Sequence, residues 1–513
     1  IKLEHTQFVS INRKATVELR ITIEAFLKMK NPNEDKIAFE YYGNKITWKQ
    51  LWEDVDVAAR ALKALGFNEG DRVPSFLVST PAHFILLLAA ERIGTAIICR
   101  DDIPEELCFA IRKSKSNTAF VMDYTSKEDE QLFRETTPMT RMIKVSPFEY
   151  ADKSQMKDYV LEEITARYPA ETETTEGDMS WQEFMELGRN FKGEYLAPVD
   201  PDRAVFGAYT SGSTGISKLV IHSSANIVAT AYQMSIFIPP SDVQEVWWTP
   251  ILPPALIAVT VSMTIFPLST GLMVSLDPFC PLENIDIEFM DRKPNFWALI
   301  PLYCEMLMSS ERIPEDYDMS HLRTIGAGAE AMNDRKYAEV EEFFHKHNVQ
   351  AKLSAGYGQS EGCSNLTLPN PMFPLEDGCV GMPMTATVLG VFDKDLNELN
   401  YGESGELCMT GPSMMLHYSG WRGEELTEQT LVEHPDGNTW LHTGDEAYIT
   451  EQGIVHILGR GEIKAYGDKP LHVMRMETKT VRTPGVKDGF FCLVPDQEHE
   501  GYYRPYLFVI LDG

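Results

Sequence analysis

Residues 209–220 bring hydroxyls, glycines and one lysine together: Tyr209-Thr210-Ser211-Gly212-Ser213-Thr214-Gly215-Ile216-Ser217-Lys218-Leu219-Val220. The run lies between two segments that read as strands, Ala204 to Tyr209 and Leu219 to His222. Glycine reaches backbone conformations closed to other residues, so successive N–H groups can face one point. Converging N–H groups, hydroxyls and an ammonium suit a polyphosphate. This is not a Walker loop, in which the lysine directly follows a glycine and precedes Ser or Thr; Lys218 does neither. A flexible surface loop has the same composition, and at this point both readings stand.

Further along, Tyr357 sits between Gly356 and Gly358 at a predicted strand end, where its ring could stack on a flat base or pack as a core tyrosine. Glu361, four residues on, is suited either to hold Mg²⁺, which prefers carboxylate and phosphate oxygens, or to face a helix N-terminus. Asp445 follows Thr443-Gly444. A carboxylate beyond a glycine turn can accept from both hydroxyls of a ribose, or simply shape the turn. Arg460 and Lys464 are cations flanking a predicted hinge.

These groups need a scaffold. Ala38 to Tyr42 and Lys45 to Thr47 read as strands joined by Gly43-Asn44. Thr47 caps a predicted helix from Trp48 to Leu65, with apolar residues at helical spacing and Gly66 at its end. Asp71 to Val78 is a strand, Pro81 to Ile93 an apolar helix and Thr95 to Cys99 a strand. Alternating strand and helix predicts a parallel sheet covered on both faces. Residues 125–200 read as less regular and without chemistry. Strand–helix alternation resumes with Asn295 to Ile300, Leu322 to Ile325 and Ala351 to Ser354; the last two end in glycine-rich turns, Gly326 to Glu330 and Ala355 to Gly362. Ligands of open α/β sheets bind outside the carboxyl ends of strands, which predicts one cleft for these turns and the 209–220 run. Beyond Pro383 short strands predominate. The expected fold is therefore α/β: a large N-terminal domain of layered sheets over residues 1–459, with a β-rich subdomain at about 383–459, then a small α+β C-terminal domain over 460–513.

The chain has 513 residues, 43% hydrophobic and 24% charged, as expected for a globular protein of two or three domains. Its formal net charge of −30 argues against nucleic acid or an anionic membrane surface as the main partner. It leaves a nucleotide possible, because screening over about 8–10 Å makes local charges decisive. Eight cysteines without a C-x-x-C pair predict buried free thiols in a reducing compartment, hence a cytoplasmic protein. Ile1 to His5 does not read as a signal peptide, and none is expected. Val246 to Leu276 lacks Asp, Glu, Lys and Arg and is long enough to span a bilayer, but Pro250, Pro253, Pro254 and Pro267 predict a strand, turn and core helix instead. Oligomeric state has no signature here.

In order and spacing, these stretches resemble the adenylate-forming superfamily of acyl- and aryl-CoA synthetases, luciferases and peptide-synthetase adenylation domains. Tyr209 to Val220 is similar to its phosphate loop, Gly356 to Glu361 to its Y-G-x-T-E stretch (with Ser360 for threonine), Thr443 to Asp445 to its T-G-D, and Gly459 to Gly467 to its hinge. The resemblance runs from about Ile37 to near the end. It implies ATP, Mg²⁺ and CoA, with a carboxylic acid converted to acyl-adenylate and pyrophosphate and then to a thioester. It implies that Ser211, Ser213, Thr214 and Lys218 hold the β- and γ-phosphates, with Thr210, Gly212 and Gly215 also at the nucleotide, Ser360 on the α-phosphate and Glu361 on the metal. Tyr357 would stack on adenine, with Gly328, Ala329 and Glu330 at its edge; Asp445 and Arg460 would take the ribose. His222, Trp248, Leu252, Gly356 and Gly362 fall on the acid-binding side. Lys464 would act from the hinge as a mobile cation near the phosphates.

The sequence departs from the family pattern in three further places. Ser217 and Leu219 replace a proline and a glycine of the phosphate loop. Only Gly461-Glu462 separates Arg460 from Ile463, which leaves Glu462 as the hinge acid. No Gly-Lys pair occurs after Arg460, so no lysine matches the family's C-terminal adenylation lysine, and the sequence is expected to end inside that domain. The resemblance places the substrate pocket at about Trp247 to Val261, where peptide-synthetase adenylation domains carry an aspartate for the α-amino group. Here the region is uncharged, which disfavours an amino acid, whose buried ammonium would lack a partner, and favours a fatty or aryl acid. Trp248, Leu252, Leu256, Met263, Tyr303, Met306 and Met308 are candidate lining residues. Transfer to a carrier-protein thiol, or a nucleotide-binding homologue without turnover, remain as alternatives.

Overall fold

The computed structural model describes residues 19–100, 104–168, 175–210, 217–236, 238, 241, 243–328, 334–368, 378–420, 422–461, 464–467 and 469–511. Two compact units form. The first is Ile1–Pro294 with Ser360–Ser364 and Pro412–Thr427; the second is Asn295–Gln359, Asn365–Gly411 and Glu428–Gly513.

The first unit contains an eight-stranded sheet in the order 417–419, 219–223, 204–209, 96–99, 72–76, 118–122, 141–145, 179–180. Most neighbours are parallel; the hairpin of Ala204–Tyr209 with Leu219–Ser223 is antiparallel, as is the added edge strand His417–Ser419. A second group of strands pairs Val246–Pro250 with Met273–Asp277 and Met273–Asp277 with Ile37–Tyr41, both parallel. The helix Pro81–Ile93 is buried from Pro81 through Ala90 because it touches both. Phe84 stacks on Phe39 at 5.5 Å, while His83 Nδ1 lies 3.4 Å from the Ser75 hydroxyl. Thr47 caps Trp48–Ala64 as expected, its hydroxyl accepting from the Gln50 N–H. That helix packs so closely on Trp181–Asn190 that a Cβ on Gly188 would lie 2.0 Å from the Val57 carbonyl oxygen.

Four local expectations change. The hairpin turn is Tyr42-Gly43, at φ 44° and 84°, because Tyr41 pairs directly with Asn44. The strand expected at Leu322 to Ile325 is Ile325–Ala327. Residues 125–200 contain the helices Lys127–Thr136, Asp158–Arg167 and Trp181–Asn190 and the strand Arg141–Val145; their few apolar residues, such as Phe133, Ile164 and Phe184, are concentrated on buried faces. Cys492 is exposed, whereas the other seven thiols are buried, and all eight are free. The segment Val246 to Leu276 is, as expected, strand, helical turns and strand. Among the described residues no helix is long and apolar enough to cross a membrane.

The second unit holds three parallel strands, Phe296–Leu299, Ile325–Ala327 and Leu353–Ala355. It also holds an antiparallel sheet in which Gly405–Thr410 pairs with Val388–Phe392 and with the long strand Thr439–Ile449. Val455–Arg460 lies on the other edge of that long strand. The last elements are the helix Val473–Val481 and the hairpin Val486–Pro495 with Tyr503–Leu511.

Candidate active site

In the first unit, strand pairing continues past Tyr209 and Leu219. The Thr210 N–H donates to the Lys218 carbonyl at 2.9 Å, the Lys218 N–H to the Thr210 hydroxyl at 3.1 Å, and the Ser217 hydroxyl to the Thr210 carbonyl at 2.7 Å. Thr210, Ser217 and Lys218 therefore pin both ends of the hydroxyl-rich run. Ser211, Gly212, Ser213, Thr214 and Gly215 lie outside the described residues, as do Ala329, Glu330, Glu462 and Ile463.

Lys218 Nζ stands 5.0 Å from the centre of the Tyr418 ring. The strand His417–Ser419 supplies that ring by pairing Tyr418 opposite Val220. The Tyr418 hydroxyl donates to Glu361 Oε1 at 2.6 Å, and the Met415 N–H donates to the Glu361 carbonyl at 2.8 Å. Lysine, phenol and carboxylate thus come together from three separate segments. Nothing local in the sequence marked Tyr418, because its position depends on a strand pairing across about 200 residues. Glu361 Oε2 accepts no hydrogen bond from a described residue. A carboxylate oxygen left open, joined through Tyr418 to a lysine, fits one hard cation shared with phosphate oxygens.

Ser360–Gly362 is a short 3₁₀ turn with Gly362 buried. Below it, His222 Nε2 donates to the Ser360 carbonyl at 2.8 Å. His222 is fully buried, so here it acts as a brace under the turn. The next two residues, Cys363 and Ser364, hold φ of 59° and 91°, and the Ser364 and Ser262 hydroxyls meet at 2.6 Å. Such non-glycine strain persists only where the surroundings impose it.

Burial lowers the His222 pKa from 6.5 to about 4, against the opposing pull of the Ser360 carbonyl; burial lowers His83 to about 3. Each imidazole is neutral when folded and protonates more readily when unfolded. Its contribution is therefore complete above about pH 6.5 and is lost as pH falls toward 4 for His222 and 3 for His83. For His222 this is on the order of 3 kcal/mol. His222→Gln, which keeps a donor for Ser360, is expected to flatten the rise of the urea midpoint between pH 4 and pH 6.5. An unchanged slope would contradict the assignment.

In the second unit, Ala327 and Ala355 are register partners on parallel strands. The Gly356 N–H donates to the Ala327 carbonyl at 3.3 Å and the Gly328 N–H to the Leu299 carbonyl at 3.1 Å. A Cβ on Gly328 would meet nothing within 4 Å, so a flat group has room at that strand end. The Tyr357 N–H donates to the Thr367 hydroxyl at 2.9 Å, and the Tyr357 hydroxyl donates to Asp445 Oδ2 at 2.5 Å. Burial beside the Asp445 carboxylate holds this phenol well above its ordinary range, so it remains a donor. Arg460 Nε lies 3.8 Å from Asp445 Oδ1, on a side chain 66% exposed.

Asp445 is not beyond a turn, as its sequence suggested. It lies within Thr439–Ile449, opposite Arg460. Gly444, at φ 73°, allows the strand to kink without ending, and the pairing with Gly405–Thr410 shifts register between Glu406 and Cys408. The Thr443 hydroxyl holds the kink by accepting from the Asp445 N–H and donating to the Leu407 carbonyl.

The remaining candidates have the following local surroundings. Lys464 Nζ rests 5.2 Å from the Tyr503 ring. Trp248 is 1% exposed in the first unit. Leu252 is half-buried, and its carbonyl accepts from Ser79. Tyr303 is buried in the second unit, stacked on Trp297.

A family model described as AMP-binding enzyme matches residues 28–419. The chain is 25% identical over 489 residues to the acyl-CoA ligase sidI of Aspergillus fumigatus, covering 90% of this chain and 76% of that one. It is 26% identical over 484 residues to a long-chain-fatty-acid–CoA ligase of Bacillus subtilis, covering 90% and 80%. Among solved structures, ATP-bound MatB from Rhodopseudomonas palustris superposes with a TM-score of 0.76 at 20% identity, covering 95% of this chain and 88% of that one.

Proposed function

Because this chain belongs to the AMP-binding enzyme family, we propose that it is an AMP-forming acid–thiol ligase that activates a carboxylic acid with ATP and passes the acyl group to CoA. In the first step a carboxylate oxygen attacks the α-phosphorus, and the bond to pyrophosphate breaks. In the second the CoA sulfur attacks the acyl carbon, its proton is lost, and AMP leaves. Neither step needs a covalent enzyme intermediate, so the protein's work is positioning and charge neutralisation.

The convergence of Lys218, Tyr418 and Glu361 carries this reading. Lys218 neutralises phosphate charge; its ammonium is steadied by the Tyr418 ring, whose hydroxyl orients Glu361. Glu361 Oε2 would hold Mg²⁺, which supplies further neutralisation of the phosphates when bound. Thr210 and the run after it, Ser211 to Gly215, are assigned to the β- and γ-phosphates, and Ser360 to the α-phosphate. Asp445, with Arg460 and the Tyr357 hydroxyl on it, is assigned to the ribose. Tyr357 and the open edge at Gly328 and Gly356, with Ala329 and Glu330, are assigned to the base. Lys464 is assigned to a hinge at Arg460, ahead of a small C-terminal domain. The named activities of the relatives support CoA as acceptor and an apolar acid as substrate, as does the uncharged Trp247 to Val261 segment. Eight free thiols support a cytoplasmic setting.

The test is to incubate the full-length natural chain with ATP, Mg²⁺ and a panel of fatty and aromatic acids, with and without CoA. Acid-dependent pyrophosphate is expected, with thioester only when CoA is present. Pyrophosphate without a CoA thioester would reassign the acceptor to a carrier-protein thiol. If ATP binds and no acid releases pyrophosphate, the ligase reading fails.

A further inference from the structure

Where the strand that carries Asp445 pairs with Gly405–Thr410, a thiol and two imidazoles converge. Cys408 Sγ and one ring nitrogen each of His434 and His442 all lie within 4.8 Å of one another. The two Nε2 atoms are 2.9 Å apart. His442 Nδ1 lies 2.8 Å from Glu406 Oε2. A carboxylate accepts, so His442 carries its proton on Nδ1 and aims the Nε2 lone pair at His434. The short Nε2···Nε2 contact then needs a single proton between the rings, carried by His434. That leaves His434 Nδ1 bare, in a buried residue 3% exposed and with no partner among the described residues. On one side Phe392 and Trp440 pack with Cys408 as an apolar wall. On the other, the His442 side chain is 15% exposed, which gives an entry path.

We propose that Cys408, His434 and His442 form a metal site for a borderline-soft cation, with Zn²⁺ as the ion that fits first. One thiolate and two imidazoles are a zinc donor set, and the fourth tetrahedral position is left to water. At zinc–nitrogen bonds of about 2.0–2.1 Å the two nitrogens stand about 3.3 Å apart. The present 2.9 Å is a few tenths shorter because a proton joins them. Binding puts the ion where that proton is. His434 moves its proton from Nε2 to Nδ1, Cys408 loses its thiol proton to solvent, and about one proton is released per ion. Glu406 is the outer carboxylate that fixes the His442 tautomer, an arrangement usual for metal-bound histidine.

The site has a built-in connection to the ribose stretch. Glu406 Oε1 also accepts from the Gly444 N–H at 3.1 Å, next to Asp445. An ion on His442 therefore stiffens the kink that presents Asp445. This consequence, unlike the metal site, rests on the assignment of Asp445 to ribose.

The experiment uses the full-length chain stripped of metal and titrated with Zn²⁺ alone, then with Co²⁺ as a spectroscopic probe. One Zn²⁺ is expected to bind tightly. The Co²⁺ form should show a thiolate-to-metal charge-transfer band and tetrahedral visible bands. Cys408→Ser should abolish the charge-transfer band, and His434→Gln should lose tight Zn²⁺ binding. Glu406→Gln should weaken Zn²⁺ by about 10–100-fold while keeping the band. Metal-free thermal unfolding of Cys408→Ser, matched to the parent, separates loss of a ligand from loss of the fold. The proposal is overturned if the parent takes up no more Zn²⁺ than a Cys408→Ser/His434→Gln double variant. It is also overturned if Co²⁺ binds the parent without a thiolate band. The Kd for ATP with and without Zn²⁺ is read separately: Zn²⁺ binding with no effect on ATP overturns only the link to Asp445.

Discussion

Glu361→Gln is expected to slow acid-dependent pyrophosphate release by about 10²–10³-fold, with little change in the KM for the acid. The substitution keeps the size of the side chain and the acceptor for the Tyr418 hydroxyl, but it removes the charge that the proposed metal requires. At about 1.4 kcal/mol per tenfold, the loss corresponds to about 3–4 kcal/mol of transition-state stabilisation. Tyr418→Phe is the companion. It leaves the carboxylate and removes only the hydrogen bond that orients it, so its effect should be smaller, within the 1.5–3 kcal/mol typical of a bond to a charged group. The readout is single-turnover pyrophosphate release across a Mg²⁺ titration. Glu361→Gln should shift the Mg²⁺ dependence to higher concentration, and Tyr418→Phe should shift it less. A Glu361→Gln enzyme with parental rate and Mg²⁺ dependence would remove Glu361 from the mechanism.

Asp445→Ala is expected to raise the KM for ATP by about 10- to 150-fold, the range for losing hydrogen bonds to a charged group. In this structure the Asp445 side chain is 10% exposed, and its carboxylate is met by the Tyr357 hydroxyl and by Arg460. A ribose hydroxyl would take a place beside these donors. The discriminating measurement is therefore a comparison of ATP with its 2′,3′-dideoxy analogue. The parent should prefer ATP, and Asp445→Ala should treat the two nearly alike. Tyr357→Phe keeps the carboxylate, so it should retain the preference while binding both more weakly. Equal discrimination by parent and Asp445→Ala would show that the ribose is held elsewhere. Thermal unfolding is followed alongside, because Asp445 sits in the kinked middle of a long strand.

The α/β class, the helix Pro81–Ile93 to the residue, the non-spanning character of Val246 to Leu276 and the stretches that carry candidate chemistry are all legible along the chain. These are local properties. A proline at a helix start, apolar spacing, or a glycine after a strand leaves its mark within a few residues. Tertiary structure alone decided which groups meet. Tyr418 reaches Glu361 and Lys218 only because an edge strand joins a sheet formed far earlier in the chain. His222 sits at the end of a strand in sequence, and folding turns it into a buried brace. The Cys408–His434–His442 cluster has the same origin: its members stand 26 and 8 residues apart, spacings that resemble no local motif, and antiparallel pairing with a register shift brings them together. Asp445 shows the limit most clearly. Thr443-Gly444-Asp445 read as a turn because glycine commonly ends a strand, but hydrogen bonds on both edges of Thr439–Ile449 carry the strand through it. Local preferences are worth about 1 kcal/mol per residue, and pairing with two neighbouring strands outweighs them.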